Sequence, residues 1–324
     1  MKIVILTPVY NDWPSLTVLL EKLRLLLANK GDILQLLIVD DASAIDGDNS
    51  ALAGAINYFE QAHILRLRVN LGHQRAIAVG LTWIHNHMPT DAVLILDSDG
   101  EDRPDDAPIL LETFAKYECR ATVFAQRRRR SEGLVFSVFY RLYQIFHWLL
   151  TGLPVRIGNF SIIPGAFVQK IVICGYLWNH YAATVERLKL PRVEVPTTRG
   201  RRYAGTSQMN FVSLVKHGLS AIAVHSEVVG VRLLVACAFG SALALIALIV
   251  CTWIRCFTNL AIAGWATYVS GFAIVILIQM LSLTLSFCIR ALSNQNDALF
   301  VPLRDCDFYV ETCTELKYLV QHPV

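Results

Sequence analysis

Two long apolar segments near the C-terminal end constrain the fold of this chain more than any other feature. Leu233–Ile254 runs for 22 residues and Cys256–Ile289 for 34 residues, both without a formal charge. A helix needs about 20 apolar residues to cross the hydrocarbon core of a bilayer. We therefore expect two membrane-spanning helices within residues 231–290, joined by a turn near Arg255–Asn259. The alternative is a pair of helices buried in a globular core.

Two crossings return the chain to the side of the membrane on which it started. Arg232 and Arg290 flank that side and Arg255 marks the other, so the positive-inside rule assigns residues 1–230 and a polar tail, 291–324, to the cytosol. The N-terminal apolar run Ile3–Leu6 is too short for a signal peptide. We expect an integral, multi-pass protein of the cytoplasmic membrane, and the tail has no evident role.

The front of the chain has the composition of an ordinary soluble domain. Residues 1–230 hold 24 of the 29 basic and 21 of the 26 acidic residues of a chain that is 54% hydrophobic and 17% charged. The net charge of +3 is too small to indicate a nucleic-acid partner. The front is long enough for one large α/β domain with its own core.

Short apolar runs alternate with amphipathic stretches along this front. The runs that predict strands are Lys2–Thr7, Ile33–Val39, Ile64–Val69, Ala92–Leu96 and Ala121–Ala125. Four stretches predict helices. The first begins at Trp13-Pro14, and the others cover about residues 51–61, 72–87 and 104–117. This order predicts βαβ units and a mostly parallel sheet, which binds ligands at the carboxyl ends of its strands.

Polar side chains follow four of the predicted strands. They are Tyr10-Asn11, Asp40-Asp41, Asn70 and the Asp97-Ser98-Asp99 sequence. Carboxylate oxygens suit Mg²⁺ or Mn²⁺, and a diphosphate with water would complete the ligand shell. We therefore expect a divalent metal site at Asp97 and Asp99.

Charge of the opposite sign follows this acidic region. Residues 91–106 carry seven acidic side chains against one arginine, whereas residues 127–141 carry five arginines against one glutamate. Such an arrangement suits a metal site beside a phosphate or an anionic membrane surface. The aromatic-rich stretch 134–155 and the amphipathic stretch 209–224 are typical of helices in the membrane interface, with burial in the soluble core as the alternative.

The motifs together resemble those of inverting family-two glycosyltransferases with the GT-A fold. The similarity is carried by Pro8-Val9-Tyr10-Asn11, Asp40-Asp41-Ala42-Ser43, Asn70-Leu71-Gly72 with Ala76, Asp97-Ser98-Asp99, Gly158-Asn159-Phe160 and Arg202-Tyr203-Ala204-Gly205-Thr206-Ser207. The branch that they resemble is the polyprenyl-phosphate sugar synthases, which includes dolichol-phosphate mannose synthase and bacterial relatives with two C-terminal membrane helices. The resemblance extends over about residues 1–290.

The resemblance implies a role for each matching position. The nucleotide-sugar would contact Pro8, Tyr10, Asn11, Asp40, Asp41, Asn70 and Asp97. Mg²⁺ or Mn²⁺ would bind Asp97 and Asp99, and the catalytic positions would be Asp99 and Asn159. Phosphates would contact Arg127, Arg199, Arg201, Arg202 and Ser207, because guanidinium groups bind phosphate by paired hydrogen bonds. Arg127–Arg130 would meet the acceptor phosphate at the bilayer surface, or form a general membrane-surface patch.

Two departures from the family pattern concern the acceptor. The family commonly has Asp-Leu-Gln where this chain has Asp99-Gly100-Glu101, and Gly-Asp-Phe-Arg where this chain has Gly158-Asn159-Phe160-Ser161. An amide cannot act as a general base. A phosphate acceptor is already anionic near neutral pH and needs none, whereas a hydroxyl acceptor would need one. Candidate bases in that case are Glu101, Asp102, His180 and Glu186.

Three functions remain in view. The first is a membrane-bound inverting glycosyltransferase that moves a sugar from a UDP- or GDP-sugar to undecaprenyl or dolichyl phosphate, in a chain that the resemblance implies is an oligomer. The second is the same transfer to a lipid or glycan hydroxyl. The third is a non-catalytic membrane adaptor that binds a nucleotide-sugar. A dinucleotide oxidoreductase is disfavoured because the first strand leads into Pro-Val-Tyr-Asn and not into a glycine-rich turn.

Overall fold

A computed structural model of the chain describes residues 1–27, 31–45, 47, 49–127, 134–154, 157–204, 211–258, 264–293 and 300–316. The chain divides into two units. The first contains Met1–Gln144, Pro154–Val224 and Phe300–Val324, and the second contains Ile145–Leu153 and His225–Leu299. The first unit is therefore formed by segments from both ends of the sequence.

One mixed sheet forms the centre of the first unit. Its strands are β1 Lys2–Val9, β2 Ile33–Asp40, β3 Gln61–Leu67, β4 Ala92–Ile95, β5 Thr122–Arg127, β6 Ile157–Pro164, β7 Arg192–Thr197 and β8 Val310–Glu315. Their order is β7-β5-β6-β4-β1-β2-β3-β8. The central β4-β1-β2-β3 pairs are parallel, and β6 and β8 pair antiparallel with their neighbours. The prediction of a mostly parallel α/β sheet is confirmed.

Helices cover both faces of this sheet. The longer helices of the chain are α1 Trp13–Leu27, α2 Asn49–Ile56, α3 His73–His87, α4 Ala107–Lys116, α5 Leu134–Thr151, α6 Gly165–Val172, α7 Tyr181–Arg187, α8 Phe211–Val224, α9 Ser226–Phe257 and α10 Trp265–Ser293. A short helix, α11, covers Pro302–Asp305. One core cluster joins the sheet to α1, α2 and α4, and the other joins it to α3, α6 and α7. The central strands are apolar almost throughout because both of their faces are buried.

The expected polar tail at 291–324 requires a correction. Residues 300–316 return to the first unit, where β8 pairs antiparallel with β3 from Leu67↔Val310 to His63↔Glu315. Cys306 is buried at 3.7 Å from the hydroxyl of Thr82 on α3. The alternating, mostly exposed residues of β8 give no apolar run, because an edge strand of this kind buries little of its surface.

The second unit is dominated by α9 and α10. Among the described helices, these two contain segments long and apolar enough to cross a bilayer, Ser226–Phe257 and Trp265–Ile289. The prediction of two long apolar C-terminal helices is confirmed, although α9 starts before the expected Leu233. The end of α5 belongs to the same unit, where Arg232 donates to the carbonyls of Trp148 (3.2 Å) and Leu149 (2.8 Å).

The two stretches expected at the membrane interface are helical where they are described. Ile145, Phe146 and Trp148 on α5 are each more than half exposed, so this part of α5 is not buried in the soluble core. On α8, Leu219 is exposed and Val224 is buried. The expectation that these helices lie in the membrane interface stays a prediction.

Replacing Gly80 with alanine should destabilise the first unit. The added Cβ would lie 2.5 Å from Leu6 Cδ1 and 2.9 Å from Val39 Cγ2, in a fully buried contact between α3 and the sheet. Overpacking of this kind costs about 1–3 kcal/mol, which lowers an unfolding midpoint by about 2–4 °C per kcal/mol. Gly54→Ala on α2 is the control, because its Cβ would meet only Glu21 Oε1 at 3.6 Å. The unfolding midpoints are measured by thermal melts in detergent. Equal decreases in the midpoint for both variants would contradict the packing argument.

Candidate functional site

Four polar loops lie at one edge of the sheet because β1, β2, β3 and β4 run in parallel. These loops contain the residues predicted to contact a nucleotide-sugar. Pro8 is buried at the end of β1, whereas Tyr10 is 42% exposed beyond it. Asn70 is exposed in the loop after β3. The sheet topology alone therefore brings together segments that are up to 90 residues apart.

Asn11 joins the loop after β1 to the loop after β2. Its backbone is left-handed, with φ 54°, a conformation that asparagine tolerates better than most residues. Its N–H donates to Ser43 Oγ at 2.9 Å, and its Oδ1 accepts from the N–H of Ala44 at 2.8 Å. Asp40 is 2% exposed and accepts from the N–H of Ser43 at 2.9 Å. Asn11 and Asp40 thus share Ser43 as a partner.

Asp41 holds the next loop in place. Its two carboxylate oxygens accept from the backbone N–H groups of Leu71 (2.7 Å) and Gly72 (2.8 Å). Gly72 has φ 88°, a conformation that favours glycine. Burial raises the pKa of Asp41, although both N–H groups act in the opposite direction. These bonds show that Asp41 anchors the β3–α3 loop, and its contact with a nucleotide stays a prediction.

The carboxylates of Asp97 and Asp99 lie directly after β4. Asp97 Oδ1 is 3.0 Å from His73 Nε2, and Asp102, which is 2% exposed, accepts from the N–H of Asp97 at 3.1 Å. Asp99 accepts from the N–H of Glu101 at 2.9 Å. Burial, helped by the charge of Asp97, raises the pKa of Asp99 to about 6. The two predicted metal ligands therefore form one compact acidic site.

Asn159 belongs to a chain of hydrogen bonds that a backbone group orients. The N–H of Tyr181 donates to Gln74 Oε1 at 2.9 Å, so the other end of that amide, Nε2, donates to Asn159 Oδ1 at 2.9 Å. Asn159 Nδ2 then faces His73 Nε2 at 2.9 Å. Asn159 thus contacts Gln74 at one end of its amide and His73 at the other, and its contact with His73 is a hydrogen bond only while Nε2 carries no proton.

His73 is a cationic neighbour of Asp97 among the described residues. Burial alone would lower the pKa of His73, but its contact with Asp97 raises it, and the net shift is upward. A protonated His73 donates through Nε2 to Asp97 and offsets the negative charge of the acidic site, and Nε2 then has no lone pair for the Asn159 amide.

The predicted phosphate-binding arginines follow β7 and close over the same acidic site. Arg199 pairs with Glu101. Arg202 lies 3.4 Å from Asp99 and 3.3 Å from Asp12. The remaining arginine of this loop, Arg201, is exposed. The structure therefore brings two of the three arginines of this loop, Arg199 and Arg202, to the acidic site, where carboxylates are their partners.

Close backbone contacts hold this arginine loop against the acidic loop. The N–H of Tyr203 donates to the carbonyl of Asp99 at 3.0 Å, and the N–H of Gly200 donates to that of Glu101 at 2.9 Å. A side chain at Gly200 would collide with the carbonyl of Gly100, so the approach of the two loops requires glycine at Gly200.

The remaining predicted phosphate-binding positions are Arg127 and Ser207, together with Arg128–Arg130 for the acceptor phosphate. Arg127 ends β5, in register with Thr197 on β7. Ser207 and Arg128–Arg130 lie outside the described residues.

Asp97 and Asp99 offer hard oxygen ligands of the kind that Mg²⁺ and Mn²⁺ prefer. Among the described residues, no group of three or more His, Cys, Asp and Glu side chains has the arrangement of a metal site. A divalent ion held here would therefore take its other ligands from a bound substrate and from water. The site fits an ion that accompanies a diphosphate better than a permanently bound structural metal.

Three residues of this site were not predicted from the sequence. His73 and Gln74 directly follow the Asn70-Leu71-Gly72 motif, and Asp12 follows Asn11, so each adjoins a motif that drew attention to the right loop. Their partners, Asp97, Asn159 and Arg202, are far away in sequence. Asp12 and His73 could have been predicted, because both follow parallel strands at the edge of the sheet where ligands bind.

Asp99→Asn should stabilise the protein at neutral pH. The folded state binds the Asp99 proton more tightly than the unfolded state, whose pKa is near 3.8, so ionisation costs stability progressively between about pH 4 and pH 6. We expect the variant to melt about 5 °C higher than the wild type at pH 7 and at the same temperature near pH 4. Asp105→Asn, on the same loop and 54% exposed, controls for the loss of one charge. A difference in melting temperature between Asp99→Asn and the wild type that is the same at pH 4 and pH 7 would contradict a raised pKa for Asp99.

The sequence matches the family profile "Glycosyl transferase family 2" over residues 4–171, just over half of the chain. An undecaprenyl-phosphate 4-deoxy-4-formamido-L-arabinose transferase from Sodalis glossinidius (strain morsitans) is 26% identical over 227 residues, and one from Klebsiella pneumoniae (strain 342) is 25% identical over 222 residues. Each alignment covers 66% of this chain and 64% of the relative. This chain thus matches less than two thirds of the length of these curated relatives.

Two kinds of solved structure are also similar. Glucosyl-3-phosphoglycerate synthase from Mycobacterium tuberculosis, crystallised with Mn²⁺, UDP-glucose and phosphoglyceric acid, has a TM-score of 0.48 and 17% identity, over 71% of this chain and 80% of that chain. Mannosyl-3-phosphoglycerate synthase from Rubrobacter xylanophilus has a TM-score of 0.46 and 16% identity, over 69% and 72%. The family profile and the mixed sheet confirm the resemblance and the GT-A fold class predicted from the motifs. The chain belongs to glycosyl transferase family 2.

Proposed function

We propose that this protein is a membrane-bound inverting glycosyltransferase that moves a sugar from a UDP- or GDP-sugar to a polyprenyl phosphate. The observation that carries the proposal is the meeting of Asp99, after β4, with Arg202, after β7, at the carboxyl edge of the sheet. Carboxylates suit the metal that accompanies a nucleoside diphosphate, and arginines suit phosphate oxygens. A site that offers both is suited to a reaction between two phosphate compounds.

Donor binding would exchange the partners of these side chains. Asp97 and Asp99 would hold Mg²⁺ or Mn²⁺, which supplies neutralisation of the charge on the departing nucleotide. Arg202 and Arg199 would then turn from their carboxylates toward phosphate, with which guanidinium groups form paired hydrogen bonds. His73 would keep Asp97 in place, because its Nε2 lies 3.0 Å from Asp97 Oδ1.

Three of the four candidate bases keep other partners, which favours a phosphate acceptor over a hydroxyl. Glu186 lies 2.6 Å from Arg192, whereas Glu101 would be released from Arg199 when the donor binds. Asp102 accepts from the N–H of Asp97, and His180 accepts from the N–H of Ala183 at the start of α7. A phosphate oxygen is anionic near pH 7 and can attack the sugar without giving up a proton. The names of the two bacterial relatives, both undecaprenyl-phosphate transferases, support the same acceptor class.

The position of β8 supports two membrane crossings. The same sheet contains strands from before α9 and from after α10. If both apolar helices cross the bilayer, the segments before and after them emerge on one side, which is the condition that the β3–β8 pairing requires. Arg232 and Arg290 against Arg255 favour the cytosolic side for this unit. Donor and acceptor phosphate would therefore meet at the cytosolic face of the membrane.

A transfer assay tests the proposal. The full-length protein in detergent is incubated with Mg²⁺ or Mn²⁺, undecaprenyl or dolichyl phosphate and a panel of radiolabelled UDP- and GDP-sugars. We expect label in the organic phase and a loss of at least about 10²-fold in Asp99→Ala, since the charge on the leaving nucleotide would lose a metal ligand. Asp105→Ala, with an exposed carboxylate, is the matched control and should keep its activity.

Other results of that assay point to the other functions. Metal-dependent donor hydrolysis without a labelled lipid would contradict the polyprenyl acceptor and favour a hydroxyl. Donor binding without any turnover would favour a non-catalytic adaptor.

Asn159→Asp separates the two acceptor classes. An aspartate here would restore a carboxylate at the position where the family commonly has one, next to His73 and the acidic site. For a phosphate acceptor, which needs no base, we expect kcat/KM for transfer to fall about three- to tenfold, because the added negative charge repels both substrates. A rise in transfer to a hydroxyl acceptor would instead support a missing base and the second function.

A further inference from the structure

The chain that follows the two apolar helices reaches the edge of the candidate nucleotide site. β8 pairs antiparallel with β3, and the N–H of Arg68 donates to the carbonyl of Tyr309 at 2.9 Å. The rings of Phe300 and Tyr309 both pack on Trp178, with centroids 4.2 and 5.1 Å away. This segment is therefore held by backbone pairing and by aromatic packing, and its side chains have defined positions.

Glu311 occupies an irregularity in the β3–β8 ladder. Arg66 is opposite Thr312 and Leu67 is opposite Val310, so Glu311 is the extra residue of a β-bulge. A bulge turns a side chain away from the regular alternation of the strand. Glu311 Oε2 lies 3.6 Å from Arg66 Nε. The bulge thus brings a carboxylate of β8 to the guanidinium group at the end of β3.

Arg66 connects β8 with the loop after β2. It is in register with Asp40, and its Nε is 3.9 Å from Asp40 Oδ2. Its Nη2 donates to the carbonyl of Ser43 at 3.3 Å. Ser43 in turn accepts from the N–H of Asn11. One guanidinium group therefore ties both loops of the candidate nucleotide site to Glu311.

We propose that Glu311 is a positioning residue for the nucleotide part of the donor, acting through Arg66 on the loop that contains Asp40 and Ser43. The proposal rests on the proposed function, which assigns this loop to the nucleotide. Glu311 and Asp40 hold Arg66 from two sides, and a guanidinium group with fixed planar geometry then keeps the Ser43 carbonyl in place. Without Glu311, Arg66 loses one of its acidic partners, and the loop that contains Ser43 loses part of its support.

A plain structural role for β8 is the competing explanation, because any added strand covers the unpaired edge of β3. Glu315 distinguishes the two. It lies on the same strand and is also exposed, but it is opposite His63 at the far end of β3 from the loops. Loss of the Glu315 carboxylate removes the same charge from β8 without touching Arg66.

The experiment measures nucleotide binding and transfer for the full-length protein in detergent. Dissociation constants for UDP and for GDP, each with Mn²⁺, are obtained by calorimetry for the wild type, Glu311→Gln, Glu315→Gln, Arg66→Gln and the double variant Glu311→Gln/Arg66→Gln. We expect about a threefold weaker affinity for Glu311→Gln, about tenfold for Arg66→Gln and no change for Glu315→Gln. The double variant should resemble Arg66→Gln alone, since Glu311 acts through Arg66.

Steady-state kinetics and melting provide the second readout. Glu311→Gln should raise the donor KM by the same factor as the dissociation constant, with kcat and the melting temperature unchanged. Three results would each overturn the proposal. They are equal nucleotide affinities for the wild type and Glu311→Gln, an equal loss of affinity in Glu315→Gln, or additive losses in the double variant. A wild type that binds neither nucleotide would overturn it together with the assignment of the loop. A wild type that binds a nucleotide in a Glu311-dependent manner but labels no lipid would leave this proposal standing and reject the proposed acceptor.

Discussion

Negative charge concentrated after β4 is the constraint on which the whole site depends. Asp97, Asp99 and Asp102 lie within six residues of one another and are largely buried, so their mutual repulsion is only weakly screened. The compensating cations come from distant segments, His73 from the start of α3 and Arg202 from the loop after β7. Charge compensation, together with the backbone hydrogen bonds of Gly200 and Tyr203, thus connects these loops. The same balance leaves the site ready to accept a divalent cation together with an anionic substrate.

The sequence predicted those elements whose burial produces a recognisable pattern of apolar residues. The central strands are buried on both faces, so they appear as continuous apolar runs, and their order with the helices predicted the parallel part of the sheet. Of the outer strands, β5 was predicted in this way, but β6, β7 and β8 were not. β6 begins with Ile157-Gly158-Asn159, and β8 has the sequence VETCTE, whose mostly exposed side chains carry no apolar pattern. An edge strand is specified by its partner as much as by its own composition.

The site was predictable to the extent that its residues stand at strand ends. Asp97, Asp99 and Arg202 were identified from such positions and from motifs, and the structure brings all three together. What the sequence does not record is the choice of partners. That Asp41 would hold the β3–α3 loop, and that Asn159 would contact His73, depends on contacts between segments 30 to 86 residues apart. Contacts of that range leave no local signature.

The β3–β8 pairing also has a consequence for biosynthesis. A ribosome completes β1 to β7 before it makes α9 and α10, and it makes β8 after both helices. Until then β3 is an edge strand with unpaired backbone groups, and Arg66 lacks its partner Glu311. The nascent domain therefore remains incomplete at its nucleotide edge while the apolar helices are being synthesised. Completion of the sheet is coupled, by chain order alone, to the passage of both helices out of the ribosome, so the finished donor site arises only in a chain that already carries its membrane-seeking segments.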